Sequence, residues 1–193
     1  MSETLWWPSL ALALYRNRHA PYSRFVQMAT VRADGRPANR TIVFRGFLND
    51  TPRLTFVTDE RSTKVAELEH SPWCEVCWYF PVTHEQFRIS GPTTLVREST
   101  QDTVLRDARR GSWCELAEAI RVSFTWPSPG EPRDGLAPFP STHPDQETPV
   151  SHFCLLILDP HEVDLLEING NPQNRWVYRR TEDGRWNGAE VNP

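Results

Sequence analysis

Apolar and polar positions alternate along much of this chain with the two-residue period of half-buried strands. Phe25–Val31 alternates in this way, so one of its faces is expected to meet a core. Asp34-Gly35 follows, a hairpin signal because glycine supplies positive φ. The returning strand is expected over residues 38–47, with Arg40, Ile42 and Phe44 on one face and Thr41, Val43 and Arg45 on the other. A cation on each face is unusual beside a core: either both arginines reach solvent near the strand ends, or at least one faces a bound anion. Further strands are expected at 54–58, Trp73–Phe80, 86–90 and 93–97, and closing strands at Phe153–Leu158, 161–168, 175–180 and Trp186–Val191.

Helical spacing is confined to three places. Residues 8–18 combine good helix formers with a proline suited to a first turn. Residues 62–70 have Ser62 as N-cap, Val65 and Leu68 on the inner side and Pro72 as the stop. Over 99–120, Ser99 or Thr100 caps a stripe of Val104, Leu105 and Ala108, and two helices are expected to join at Gly111-Ser112. Antiparallel strands with so few helices predict a mainly β protein, a closed or partly closed barrel rather than a doubly wound sheet.

Composition narrows this picture. A chain of 193 residues, 38% hydrophobic, is read as a single domain over 1–193. Residues 127–149 hold seven of the 17 prolines and predict a long irregular loop of the kind that serves as a lid or stays mobile. A formal charge of -4 argues against a nucleic-acid binder. With no apolar run of membrane-spanning length and no signal-like N-terminus, the protein is expected to be cytoplasmic. Cys74 and Cys77 form a C-x-x-C, but on a strand positions i and i+3 face apart, and no second pair completes a metal site. Those thiols are read as small buried hydrophobes, and no metal is expected. The six histidines have no metal spacing, and no P-loop, G-x-G-x-x-G or serine elbow appears, so any reaction is expected to depend on a bound cofactor.

Candidate chemistry concentrates between Arg40 and Gly91. At 61–64, Arg-Ser-Thr-Lys falls where a strand gives way to a helix, so first-turn N–H groups, hydroxyls and two cations can converge on one phosphate. A solvated helix start, with Asp59 and Glu60 neutralising the cations, is the alternative. Gln86, Arg88 and Ser90 share a strand face and offer donors to a heterocycle's edge.

The order of these features resembles the pyridoxamine 5′-phosphate oxidase family of FMN-binding split barrels. The resemblance rests on Gln27-Met28-Ala29-Thr30-Val31, Asp34-Gly35-Arg36-Pro37, the Arg40 to Arg45 run, Thr58 with Arg61-Ser62-Thr63-Lys64, and Gln86 before Gly91. Trp126-Pro127-Ser128-Pro129-Gly130 and Pro172-Gln173-Asn174-Arg175 with Tyr178 resemble the subgroup of oxidase-related FMN-binding proteins. It implies an FMN-dependent oxidoreductase acting on a small molecule, and a homodimer with FMN at the subunit interface. Arg40, Thr41, Ile42, Val43, Phe44 and Arg45 would line the flavin, with Val57 and Thr58 on the ring or ribityl chain. Arg61, Ser62 and Lys64 would hold the phosphate. Gln86 would bond the ring, often from the neighbouring subunit, and Arg175 matches a late arginine near the flavin. Of the eight tryptophans, Trp73, Trp78, Trp113, Trp176 and Trp186 are read as filling core and dimer interface, and Trp126 as covering flavin or substrate.

The departures bear on substrate. Family oxidases hold the substrate phosphate with Tyr, Arg and Ser on one helix, where this chain has Val104, Ala108 and Ser112. Their Arg-x-His pair falls near Asn171 and Gln173. FMN binding is therefore expected to persist and pyridoxine-phosphate oxidation to be weak or lost; the rivals are a relative using F420 or haem, and a flavin-binding or storage module without turnover.

Overall fold

The computed structural model describes residues 6–133, 135 and 139–193. In chain order its elements are α1 (Trp7–Arg16), β1 (Phe25–Val31), β2 (Pro37–Val43), β3 (Gly46–Phe47), β4 (Leu54–Asp59), α2 (Thr63–His70), β5 (Trp73–Phe80) and β6 (Glu85–Val96). After these come α3 (Thr103–Cys114), α4 (Glu118–Ser123), β7 (Phe153–Leu158), β8 (Glu162–Glu167), β9 (Asn174–Arg180) and β10 (Trp186–Val191). Every strand pairing is antiparallel. The sheet runs β10-β9-β8-β6-β5-β1-β2 and curls back through β3-β4-β7 onto the far half of β6. This is the split barrel the sequence predicts. No helix among the described residues is long and apolar enough to cross a membrane.

Two strands make the curl by changing partners. Residues 38–47, expected as one strand, break after Val43. Phe44 turns into the core, its N–H donating to Arg24 O at 2.8 Å, and the next N–H, of Arg45, donates to Thr55 O at 2.9 Å. The alternation of side chains runs on through the break, which is why the pattern alone does not reveal it. Residues 86–90 and 93–97, expected as two strands, form the single β6, which pairs with β5 and β8 before Gly91 and with β7 after Pro92.

Gly91 is needed at that crossing. A Cβ there would lie 2.0 Å from Asp159 O, a backbone atom that cannot step aside without breaking the Asp159 N–H to Pro92 O bond. Gly91→Ala is expected to cost several kcal/mol, on the order of ~3, whereas Gly111→Ala, which meets nothing within 4 Å, should be neutral or stabilise by about 0.5–1 kcal/mol. Thermal unfolding of both variants checks the pair, and equal midpoints would contradict the crossing geometry.

The barrel is filled by aromatic and aliphatic side chains: Trp6 and Leu10 at one end, then Val26, Met28, Phe44, Phe56, Trp78, Phe80, Phe87 and Leu156. β7 is buried on both faces, because Leu155 and Ile157 turn outward to meet Leu105 and Ala108 of α3.

The helical region differs from expectation. Asp102, not Ser99 or Thr100, caps α3, accepting from Leu105 N–H at 3.1 Å. Val104 is exposed, and α3 continues through Gly111 to Cys114. Tertiary anchors outweigh the ~1 kcal/mol cost of a mid-helix glycine. Buried Arg109 donates to the carbonyls of Phe153, Val150 and Ser151 at 2.9, 2.9 and 3.3 Å, and Trp113 packs on Phe124 and Phe153.

The described part of 127–149 carries no helix or strand; residues 134 and 136–138 of that expectation lie outside the described residues. Trp113 Nε1 ties this loop to α3 by donating to Asp145 O at 2.9 Å. Cys74 and Cys154 are buried, and burial first of all pushes their thiols up to about 12 and about 11, so both are protonated packing groups. No cluster able to hold a metal occurs among the described residues.

Candidate functional site

β2, β4, the start of α2 and the α4 end converge on one open groove of about 420 Å³. Its wall along β2 is Arg40, Thr41, Ile42, Val43 and, past the break, Arg45; across from it lie Val57, Thr58 and Lys64, with Trp126 at the mouth. Nine of the fourteen residues singled out from sequence therefore share this groove. Asp59 at the end of β4 and Ile120, Ser123, Phe124 and Pro129 from α4 and the loop behind it complete it; of these, Ile120, Ser123 and Phe124 come from a stretch with no chemical motif in the sequence.

One end of the groove brings a lysine and two hydroxyls together, a donor set that can take an anion. Lys64 Nζ donates to Thr58 Oγ1 at 2.9 Å and Ser62 Oγ at 3.1 Å, and those hydroxyls are 3.2 Å apart. Ser62 is the N-cap residue of α2, yet its side chain makes no capping bond, so the helix start keeps backbone donors for a ligand. Burial, and next the charge of Arg40, pull the pKa of Lys64 below the ordinary lysine value. An ammonium held at that disadvantage gains when an anion arrives.

Arg61 is turned aside. It grips Asp59 with two hydrogen bonds, Nε to Oδ1 at 2.9 Å and Nη2 to Oδ2 at 2.6 Å, and Nη2 also donates to Trp126 O at 3.1 Å. Burial alone would raise the Asp59 pKa; the bonds from Arg61 outweigh this and lower it. The pairing weighed from sequence is thus formed for Arg61 and Asp59, while Lys64 has no ion pair among the described residues.

Phe44 is buried in the barrel core, stacked obliquely on Trp78 at 4.8 Å, and supports the groove from beneath. Ser62 is buried below Lys64. Gln86 and Arg175 do not line this groove: both register with Leu166 on the β6-β8-β9 side of the sheet. There Arg175 donates to Asp164 at 3.1 and 2.7 Å, and Arg88 binds the same carboxylate. Trp126 is 40% exposed, and Trp73 47% exposed against His161; Trp78 and Trp113 are fully buried, and Trp176 and Trp186 pack against the core.

Arg45 connects the groove to a second one of about 430 Å³ between β3 and α3, whose walls include Val104, Asp107, Ala108, Ser112 and Glu115. Burial, then repulsion by Arg24, lowers the Arg45 pKa, and Arg45 Nε is a buried donor with no hydrogen-bond partner among the described residues.

Known proteins share this architecture and sequence. The sequence model of the pyridoxamine 5′-phosphate oxidase, FMN-binding domain matches residues 3–97. A pyridoxine/pyridoxamine 5′-phosphate oxidase 2 of Arabidopsis thaliana is 37% identical over 191 residues, covering 97% of this chain and 96% of that protein. A crystal structure of a pyridoxamine 5′-phosphate oxidase-related, FMN-binding protein from Nostoc punctiforme superposes with a TM-score of 0.94 at 48% identity, over the whole of both chains. PhzG from Burkholderia lata, at 20% identity and a TM-score of 0.77 over 100% of this chain and 94% of its own, shares the fold. With a relative 37% identical along nearly its full length, this chain belongs to the pyridoxamine 5′-phosphate oxidase-like, FMN-binding family of split barrels.

Proposed function

We propose that this chain binds FMN in the groove along β2 and uses it as an oxidoreductase on a small molecule that is not a phosphate ester. The observation that carries the first part is the convergence of Lys64, Thr58, Ser62 and Arg40 at one end of a groove whose remaining length is a strand, Thr41 to Val43, with Val57 opposite. A phosphate fits the cationic end, a planar ring fits the strand, and Trp126 covers the mouth. Arg61 lies within reach of that end while paired with Asp59, and serves it as a secondary cation. FMN supplies the hydride chemistry; the protein binds, orients and shields it.

Gln86 and Arg175, placed across the sheet from the groove, suit a homodimer in which each copy completes the other's flavin site. Phe44 acts by packing beneath the strand rather than by touching the ring.

The second groove argues the substrate. It offers one cation, Arg45, beside two carboxylates, Asp107 and Glu115. A phosphate dianion prefers several cations, each charge-assisted contact contributing about 1.5–3 kcal/mol. Val104 and Ala108 stand where the family's oxidases carry Tyr and Arg, so pyridoxine phosphate is a poor substrate. Ala108→Arg is expected to lower the KM for pyridoxine phosphate by about tenfold, roughly one such contact; an unchanged KM would place the substrate elsewhere. The oxidoreductase reading itself is tested by mixing the FMN-loaded protein with NADPH or NADH without oxygen and then admitting air. Bleaching followed by return of the flavin bands is expected, and a flavin that no donor bleaches would identify a binding module instead.

A further inference from the structure

Glu67 lies outside the groove yet joins the elements that form its anionic end. It sits one turn after Lys64 on α2 with its side chain only 11% exposed. Its Oε2 accepts hydrogen bonds from Thr30 Oγ1 of β1 and from Arg40 Nη2 of β2, both at 2.6 Å. Arg40 Nη1 in turn donates to Thr30 Oγ1 and, at 3.3 Å, to Met28 O. The three side chains close a ring between β1, β2 and α2. Burial alone would raise the Glu67 pKa, but the bonds from Thr30 and Arg40 outweigh it and lower the value, so the carboxylate is charged at neutral pH.

An arginine has five N–H donors. Two are spent in this ring and one on Met28 O, which leaves Nε–H and one Nη2–H for a ligand in the groove that Arg40 lines. A guanidinium on a free stem carries about 2 kcal/mol of rotamer entropy that ordering would cost; here that ordering is complete before a ligand arrives. The same carboxylate holds α2 against β1 and β2, and with it the hydroxyl of Ser62 and the ammonium of Lys64. We infer that Glu67 is a positioning residue for phosphate: it sets Arg40 from β2 and Lys64 from α2 in one geometry, so that both cations meet the same anion.

This rests on the FMN reading of the groove, and it makes a counterintuitive claim about sign. By charge alone, removing a carboxylate next to two phosphate-binding cations should tighten the binding of an anion. If Glu67 acts by positioning, removing its charge weakens it. The probes are FMN and riboflavin, which differ by the phosphate, titrated against the full-length chain by quenching of flavin fluorescence. Glu67→Gln keeps shape but loses one strong acceptor site, and is expected to raise the Kd for FMN by about tenfold, the size of one charge-assisted contact, with the Kd for riboflavin unchanged. A tighter or unchanged FMN complex overturns the inference, as does equal weakening of both ligands, the mark of a merely structural role. Thr30→Val removes the hydroxyl between Glu67 and Arg40 and carries the test should Glu67→Gln not fold; a selective loss for FMN of about threefold is expected, and unaltered selectivity overturns the inference. Failure of the FMN reading looks different: the unsubstituted protein itself would then bind FMN no better than riboflavin.

Discussion

Replacing Lys64 by alanine is expected to weaken FMN binding by about a hundredfold, measured as the Kd in a fluorescence titration. Lys64 Nζ sits on the Thr58 and Ser62 hydroxyls, is only partly exposed, and has no carboxylate at hydrogen-bond distance among the described residues. A charge-assisted bond from such a group contributes about 1.5–3 kcal/mol, or roughly 10- to 150-fold. Arg61→Ala should act more weakly, by about threefold, because that guanidinium is spent on Asp59 and an exposed pair contributes about 0.2–1 kcal/mol. The pH dependence follows from the same residue. Burial, then Arg40, depress the Lys64 pKa, and phosphate favours the charged form. Affinity is therefore full below that depressed value and falls as pH rises through it, earlier than for an ordinary lysine, and Lys64→Ala should lose this alkaline limb. A change in Kd below twofold on Lys64→Ala would mean that the phosphate lies elsewhere.

The largest effect on stability is expected from Trp78→Ala. Trp78 has no exposed surface; its ring lies 4.8 Å from Phe44 and 5.1 Å from Phe80, and its Nε1 donates to Ser23 O at 2.8 Å. Truncating a buried tryptophan costs about 3–5 kcal/mol, and the orphaned Ser23 carbonyl adds about 1 kcal/mol. Against a total stability of about 5–15 kcal/mol, a loss of about 4–6 kcal/mol takes from roughly a third to all of it. The denaturant midpoint reads it directly, with Trp78→Phe expected to recover part of the loss. A cost under about 1 kcal/mol would contradict the central place of this side chain in the barrel. Because Phe44 rests on Trp78 and directly follows the groove-lining strand, the alanine variant should also bind FMN poorly at temperatures where it stays folded.

Local pattern was legible wherever one strand keeps one set of neighbours. Phe25–Val31, Trp73–Phe80, Phe153–Leu158 and Trp186–Val191 have the bounds expected for them from sequence. Changes of partner were not legible. The break after Val43 and the continuity of β6 through Gly91-Pro92 depend on hydrogen bonds with Arg24, Thr55 and Asp159, residues outside the segments themselves. α3 outruns its glycine for the same reason, since Arg109 is held by carbonyls more than forty residues away. In the groove, the cations and hydroxyls at 58–64 stood out by type and spacing. What each one does was hidden, because Arg61 and Lys64 read alike until Asp59 is seen to take one and leave the other. Glu67, three residues after Lys64 on one helix face, carried a spacing signal that means little without Arg40 and Thr30 beside it. Gln86 and Arg175 are legible as types, but their distance from the groove along the sheet gives them a role at the flavin only if a second copy presents them.

All of this turns on whether the groove along β2 holds FMN. The most direct measurement is the visible absorption spectrum of the purified protein, before and after incubation with FMN and removal of unbound flavin. The predicted result is the paired near-ultraviolet and blue bands of oxidised flavin at one FMN per chain. A protein that remains colourless after that incubation would contradict the account.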